Sequence, residues 1–251
     1  QIQASLQGHD LSASLRQDDN QQFGTHATGN AAWGYSFTNG VRLLASYGTA
    51  FKAPTFNELY FPAFGNPDLA PEQSRSAELG VSGDLGLLQW SVNAYQTQVD
   101  DLIAFGPSFI PENIDQAQIR GLELGVTGAH HGWTLSANLT LLDPVNESQG
   151  PDDGNLLPRR AEQSGRIDLD KDLGAWRLGG SLIGVGRRFD DTANTLVLDP
   201  YGTLDLRAEY AFGKGFRVQG RLENLFDADY ETAAYYNQPG RGFYLTLRYE
   251  P

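Results

Sequence analysis

The chain has 251 residues, no cysteine and a formal net charge of −13 at pH 7. This composition excludes a disulfide framework and a thiolate metal site, and it argues against nucleic acid as a partner because the chain has no basic excess to replace phosphate counterions. No segment approaches the roughly 18 continuous apolar residues of a spanning helix, which leaves strands of about 9–11 residues as the only means of crossing a membrane.

Alternation of apolar and polar residues, bounded by turn residues, predicts about thirteen strands and no helix. The clearest alternation runs from Trp133 to Leu141 without an interruption. Such a period of two means that one face of each strand meets an apolar medium and the other meets polar groups. The predicted spans are 1–7, 11–17, 25–37, 41–48, 74–82, 88–99, 118–128, 133–142, 161–171, 176–187, 201–212, 216–224 and 241–249.

The predicted connections alternate between short and long. A meander with its short turns on one side and its long loops on the other is typical of an antiparallel transmembrane β-barrel with short periplasmic turns and long extracellular loops. The short turns are 8–10, 38–40, 83–87, 129–132, 172–175 and 213–215, and the long loops are 18–24, 49–73, 100–117, 143–160, 188–200 and 225–240.

All four tryptophans, Trp33, Trp90, Trp133 and Trp176, fall close to a predicted short turn. An aromatic girdle at the boundary between lipid and water predicts this placement. The alternative is that these side chains cover the core of a soluble barrel. The opposite face of the strands is too charged for a packed core and favours a wide, wet lumen.

The last strand, 241–249, alternates almost to the C-terminus, and a loop with Tyr235 and Tyr236 precedes it. Thirteen strands would put the two chain ends on opposite sides of a barrel, whereas a closed antiparallel barrel with both ends on one side needs an even number. Either the count is wrong by one or further strands precede residue 1. The absence of Met and a start inside an alternating strand favour a piece of a cut or processed protein.

Six segments along the chain carry motifs that are informative through their order: Tyr47–Pro54, Asn57–Tyr60, Gly65–Glu72, Asn113–Glu123, Leu157–Ala161 and Asn224–Asp227. Together they resemble, in their order, the motifs of TonB-dependent outer-membrane receptors. Two short segments, Arg159–Ala161 and Asp229–Thr232, resemble the cobalamin (vitamin B12) transporting subfamily most closely.

The resemblance implies that residues 1–251 are the C-terminal part of a receptor barrel domain, with 12–13 strands of about 22 in the whole barrel. The plug domain, the early strands and the N-terminal segment that couples to TonB have no counterpart in the sequence. Another chain as the source of the missing strands stays open. The implied partners are outer-membrane lipid, TonB and a scarce large nutrient, either cobalamin or a siderophore-like molecule.

By resemblance, Arg159 and Tyr236 match positions near the ligand, and Tyr235 lies in the same loop. A tyrosine offers rigid amphipathic area, and an arginine offers donors to amide and phosphate oxygens. The structural alternatives are tyrosines at the membrane interface and a lumen arginine paired with a carboxylate such as Glu162.

Metal and catalytic sites receive little support, and we predict no cofactor and no enzyme activity. The acid pairs at 100–101, 152–153 and 190–191 suit calcium chemically, but no known loop signature contains them, which favours solvated loop acids. His26 is the candidate residue for an outer-membrane hydrolase, which would need a serine partner near one rim. A passive pore, an engineered barrel of reduced size and a soluble β-protein are the remaining alternatives.

Overall fold

The computed structural model describes residues 1–106, 108–213 and 215–250, which form a thirteen-stranded sheet, a two-stranded hairpin and a short helix. The elements are β1 (Ile2–Leu6), β2 (His9–Asn20), β3 (Gly24–Ser36), β4 (Arg42–Lys52), α1 (Phe56–Tyr60), β5 (Glu72–Leu85), β6 (Leu88–Phe105), β7 (Pro111–His130), β8 (Trp133–Asn146), β9 (Gln163–Asp172), β10 (Trp176–Val185), β11 (Arg188–Phe189), β12 (Val197–Leu198), β13 (Tyr201–Ala211), β14 (Phe216–Glu223) and β15 (Gly242–Tyr249).

The large sheet is an antiparallel meander in which each strand pairs with the next along the chain. The β11–β12 hairpin is inserted between β10 and β13 and forms a sheet of its own. In the described ranges β1 and β15 each pair on one side only, so the sheet has two open edges. The predicted all-β class is therefore confirmed, and the thirteen predicted strands correspond to the thirteen strands of the large sheet, whereas the two short strands of the hairpin lie in a predicted loop.

The register of the sheet separates an apolar face from a polar face. Residues that are cross-strand partners form a row across the sheet. Two neighbouring rows, one residue apart along every strand, differ in polarity, as the alternation predicts. One row consists of Trp90, Val126, Ala137, Ile167, Leu182 and Leu204, and the next consists of Gln89, Thr127, Ser136, Asp168, Ser181 and Asp205.

Charged side chains on the polar face are paired with one another. Arg166 Nε lies 2.6 Å from Asp168 Oδ2, and the Ser181 hydroxyl donates to Asp168 at 2.5 Å. Arg207 reaches Asp170 at 2.5 Å and donates to the Ser181 hydroxyl at 2.7 Å. A polar network of this kind belongs to a face that water reaches rather than to a packed apolar core.

The longest strands continue well past the predicted ones, which corrects the loop assignment. The predicted loop 100–117 is mostly strand, since β6 runs to Phe105 and β7 starts at Pro111, and the predicted loop 18–24 shrinks to three residues. In this part of β6 and β7 the buried residues pack against a connection of the same chain, and the register skips Asp101 and Asp115. Strict alternation therefore stops in the sequence, although the hydrogen-bonded ladder continues.

A small apolar cluster lies at this extended end of the sheet rather than in its middle. Leu157, from the connection after β8, packs there against the upper parts of β6 and β7 and is fully buried. The cluster gives the long-loop end a core of its own, which holds the connections in place. Its members are Val99, Leu102, Ala104, Ile114, Ala117 and Leu157.

The tryptophans lie where the sequence predicts. Trp133 and Trp176 are the first residues of β8 and β10, Trp90 is the third residue of β6, and Trp33 lies three residues before the end of β3. All four are thus close to the short-turn end of the sheet. Helices of the length and apolarity needed to span a membrane are not found in the described ranges.

The helix α1 is the one departure from the all-β prediction in the described part of the chain. Thr55 caps it: the Glu58 N–H donates to the Thr55 hydroxyl at 3.3 Å, and the Thr55 N–H donates to the Glu58 carboxylate at 2.6 Å. The spacing of Thr55 and Glu58 is a capping box, which is readable in the sequence even though five residues are too few for helical periodicity.

A charge on the apolar face of β8 should destabilise the fold in lipid, whereas the same charge one residue away should not. Leu139→Arg places a guanidinium on the apolar face, which costs about 2–4 kcal/mol near the middle of a bilayer. The matched control is Thr140→Arg on the polar face, where Glu123 is the cross-strand neighbour. Urea unfolding of the full-length protein in lipid vesicles measures the free energy of unfolding of both variants. Equal losses of stability in the two variants would contradict the assignment of the two faces.

Candidate functional site

The antiparallel meander gathers the long connections at one end of the sheet, and a cavity of about 910 Å³ lies among them. Four separate segments form it: the helix α1 with the residues that follow, the tip between β6 and β7, the connection after β8, and the loop between β14 and β15. The lining residues are Asn57, Glu58, Phe61, Phe64, Phe105, Phe109, Pro111, Arg159, Thr232, Ala233, Ala234, Tyr235, Tyr236 and Gln238.

Arg159 is held in the cavity wall by a buried carboxylate. Its Nε and Nη2 donate to the two oxygens of Asp190 at 2.5 and 3.2 Å, and the Asp190 side chain is fully buried. The guanidinium lies 5.2 Å from the centre of the Phe105 ring. The predicted alternative partner Glu162 is therefore wrong: the carboxylate comes from the β11–β12 hairpin, 31 residues further along the chain.

The Asp190–Asp191 pair is buried, which corrects the prediction of solvated acids at this position. Asp191 accepts hydrogen bonds from the Thr195 N–H at 2.9 Å, the Thr195 hydroxyl at 2.6 Å and the Leu196 N–H at 2.8 Å. Both carboxylates are thus occupied in building the hairpin. Among the described residues no three His, Asp or Glu side chains gather where they could hold a metal ion.

Tyr235 and Tyr236 line the same cavity and are 75% and 70% exposed. Their loop is fixed through its backbone: the Tyr235 N–H donates to the Glu231 carboxylate at 3.1 Å, and the Tyr236 N–H donates to the Ala233 carbonyl at 3.0 Å. Tyr235 has a φ of +68°, a left-handed conformation that few non-glycine residues adopt. The rings are thereby presented to the cavity while the main chain is held.

The three predicted site residues therefore line one cavity, although their side chains come from two loops about 75 residues apart in the sequence. Sequence reasoning missed the phenylalanines of the cavity, which come from two different connections and from the end of β6. No periodicity marks these residues, because each lies in or beside an irregular segment. They are Phe61, Phe64, Phe105 and Phe109.

Glu58 gives the α1 wall of the cavity a second charge. Burial acts to raise the pKa of Glu58, but hydrogen bonds from Thr55 and the charge of Lys52 at 3.6 Å outweigh it and hold the pKa below its usual value. The carboxylate is therefore ionised at neutral pH. The Glu58 carboxylate and the Arg159 guanidinium both line the cavity. The polar part of the lining therefore offers a hydrogen-bond acceptor, Glu58, and a hydrogen-bond donor, Arg159.

His26 makes contacts that differ from those of a catalytic base. Its Nε2 lies 2.9 Å from the Phe23 carbonyl oxygen, and its ring stacks on Phe51 with the centroids 3.6 Å apart. In the described part of the chain His26 has no hydrogen bond to a serine hydroxyl. These contacts give the hydrolase alternative no support.

The cavity as a whole suits a large amphipathic ligand. Aromatic rings on several sides provide apolar area, and the half-exposed Arg159 provides charged donors in a fixed orientation. The volume is near the upper end of the range for pockets that bind small molecules, roughly 300–1,000 Å³. Ligands that combine apolar area with acceptor oxygens fit this lining.

Comparison with known proteins gives one family and a consistent set of relatives. The family profile described as "TonB dependent receptor-like, beta-barrel" matches residues 1–225. The vitamin B12 transporter BtuB of Photobacterium profundum is 38% identical over 245 residues, covering 94% of this chain and 40% of the relative. BtuB of Vibrio vulnificus is 36% identical over 249 residues, covering 94% and 39%.

Solved structures share the fold at lower identity. The siderophore receptor PiuA from Acinetobacter baumannii aligns with a TM-score of 0.80 at 20% identity, covering 96% of this chain and 41% of that chain. The copper transporter OprC aligns with a TM-score of 0.78 at 19% identity, covering 98% and 46%. The chain thus spans about two fifths of the length of the curated relatives that it resembles.

Removing the partner of the buried Asp190 should loosen the hairpin that carries it. Arg159→Met leaves the carboxylate buried without its cation, and we expect a loss of about 2–3 kcal/mol in local stability, less than for a fully buried pair because Arg159 is half exposed. Amide hydrogen exchange of residues 188–198 measures this loss.

The matched control for Arg159→Met is Arg16→Met, which removes an arginine from the exposed pair with Asp18. An exposed pair contributes about 0–1 kcal/mol, so exchange around residue 16 should hardly change. Two results would contradict a stabilising role for the Arg159–Asp190 pair. In the first, the 188–198 amides exchange no faster in either variant than in the wild type; in the second, they exchange faster to the same extent in both variants.

Proposed function

We propose, since the chain belongs to the TonB-dependent receptor-like β-barrel family, that it forms part of a receptor that imports a scarce large nutrient with energy supplied through TonB. The chain lies in the outer membrane of a Gram-negative bacterium. Cobalamin is the proposed ligand. The observation that carries the proposal is that Arg159, Tyr235 and Tyr236 line one aromatic cavity at the long-loop end.

Residues 1–251 are, in this proposal, the C-terminal part of the barrel domain. The chain covers 40% and 39% of the two curated relatives, and β1 has an unpaired edge to which further strands can add. About nine more strands would complete a barrel of about 22. The plug and the segment that contacts TonB would then come from the part of the receptor that the sequence does not contain.

The size and chemistry of the cavity support a corrin ligand. Tyr235 and Tyr236 present rigid rings on one side, and Phe61 and Phe64 present apolar area on another. Arg159 supplies donors for amide or phosphate oxygens, with its orientation set by Asp190. The two BtuB relatives of this chain are vitamin B12 transporters, which agrees with that chemistry.

The barrel contributes binding and a passage, and we expect no covalent chemistry from it. The long connections capture the ligand outside the cell, the plug closes the lumen, and force transmitted through TonB displaces the plug. Relatives of this chain are transporters and receptors rather than enzymes. A passive pore is not favoured, because every relative and structure named above is a receptor or a transporter.

Replacing a cavity tyrosine should weaken cobalamin binding to the full-length receptor that carries this chain. Tyr236→Ala removes the aromatic ring of a cavity-lining residue that is 70% exposed, and truncation of such an aromatic contact typically costs about 1–2 kcal/mol, roughly tenfold in Kd. Titration of the purified receptor in detergent with cyanocobalamin, followed by calorimetry, measures the change.

The control is Tyr60→Ala, since Tyr60 is an exposed tyrosine of α1 that does not line the cavity. It should leave the Kd for cyanocobalamin unchanged. The ligand assignment fails if the wild-type receptor does not bind cyanocobalamin, and the transport assignment fails if uptake into cells is independent of the proton-motive force. Equal effects of the two tyrosine variants would exclude this cavity as the binding site.

A further inference from the structure

Arg188 is a buried arginine on β11 that the proposed site does not use. Only 4% of its surface is exposed, although its neighbour Arg187 is exposed to solvent. Its Nη1 is buried and, among the described residues, has no hydrogen-bond partner. A buried cation is unfavourable unless other groups compensate its charge. The loss of any contact that the Arg188 guanidinium does make would therefore be costly.

Two groups face the guanidinium of Arg188. Its Nη2 donates to the Glu231 carbonyl oxygen at 2.6 Å, and its central carbon lies 5.4 Å from the centre of the Tyr201 ring. The Tyr201 ring stacks in turn on Tyr230, with the centroids 4.1 Å apart. Arg188 is thus bound to the 224–240 loop by a hydrogen bond and, through Tyr201, by aromatic contact.

Glu231 connects Arg188 to the cavity tyrosines. While its carbonyl accepts from Arg188, its carboxylate accepts from the Tyr235 N–H at 3.1 Å. A β-bridge between Glu231 and Asn237 closes the segment that contains both tyrosines. A shift of the Glu231 main chain would therefore move the tyrosines and leave the buried guanidinium without its acceptor.

The same hairpin also holds Arg159, which lines the same cavity. The Arg159 N–H donates to the Phe189 carbonyl at 2.6 Å, and the Arg159 side chain binds Asp190. Arg188, Phe189 and Asp190 are consecutive in the chain. Three successive residues thus hold two separate parts of the cavity lining, the connection that carries Arg159 and the loop that carries the tyrosines. Without the hairpin these two loops would not be linked to each other.

We propose that Arg188 is a positioning residue for the ligand, which sets the distance between the tyrosine wall and Arg159 by anchoring Glu231 to the hairpin. Because it acts on the cavity described above, this inference rests on the proposed function as far as ligand affinity is concerned. The anchoring of the loop itself is independent of which ligand binds.

The first test is a spin-label measurement without ligand on the full-length receptor. A nitroxide at Tyr236→Cys reports the mobility of the tyrosine loop, and one at Phe64→Cys reports the α1 wall; this chain has no cysteine that would compete for the label. Arg188→Met keeps the length of the side chain and removes its donors. We expect the label at 236 to become more mobile and the label at 64 to stay unchanged.

Two further variants separate positioning from general stability. Arg188→Lys retains a donor and should restore much of the restricted spectrum at position 236. Arg187→Met makes the same chemical change at the adjacent, exposed residue and should leave both labels unchanged. An unchanged spectrum at 236 in Arg188→Met, or equal changes at 236 and 64, would overturn the proposal.

The second test is the affinity for cyanocobalamin in the unlabelled receptor. Arg188→Met should weaken binding about tenfold, and Arg188→Met combined with Tyr236→Ala should bind no more weakly than the weaker single variant, because linked residues are not additive. Fully additive effects would overturn the coupling. Absence of binding in the wild type would remove the proposed function, while the spin-label result would still decide whether Arg188 holds the loop.

Discussion

The constraint on which the structure depends is that a strand in lipid must find a partner for every backbone N–H and C=O, because no water is present to accept or donate. An antiparallel meander between neighbours in the chain meets this constraint with short turns on one side. All freedom in length and conformation is then confined to the other side. The aromatic cavity lies there because that is where the chain can depart from the ladder.

The strands that face lipid could be predicted from the sequence, because their two faces differ in polarity. The segments beyond the lipid-facing part of the sheet could not. Alternation in β8 is readable because one of its faces meets an apolar medium. The first seven residues of β7 and the β11–β12 hairpin contain buried residues without strict alternation, so their sequences predict loops. The helix α1 is not predicted for a different reason: it is too short for helical periodicity, and its capping box is its one signal in the sequence.

The site shows the same division. Resemblance predicts Arg159 and Tyr236, and the shared loop adds Tyr235. The cavity brings all three together, but their supports depend on contacts that local sequence does not encode. Asp190 is 31 residues from Arg159, and Arg188 is 43 residues from Glu231. Burial decides these partners: exposed acids near Arg159 such as Glu162 remain hydrated, whereas Asp190 is enclosed with the guanidinium as its counterion.

The length of β6 and β7 sets the height of the aromatic cavity above the apolar band of the sheet. At about 3.4 Å per residue, the 18 residues of β6 extend about 60 Å, which at a tilt of about 45° rises about 40 Å against an apolar band of about 25 Å. With the start of β6 at the lower edge of that band, Phe105 at its end lies about 15 Å beyond the band. In the proposed receptor the cavity lining is therefore outside the hydrocarbon layer, where a polar substitution carries no cost of insertion into lipid.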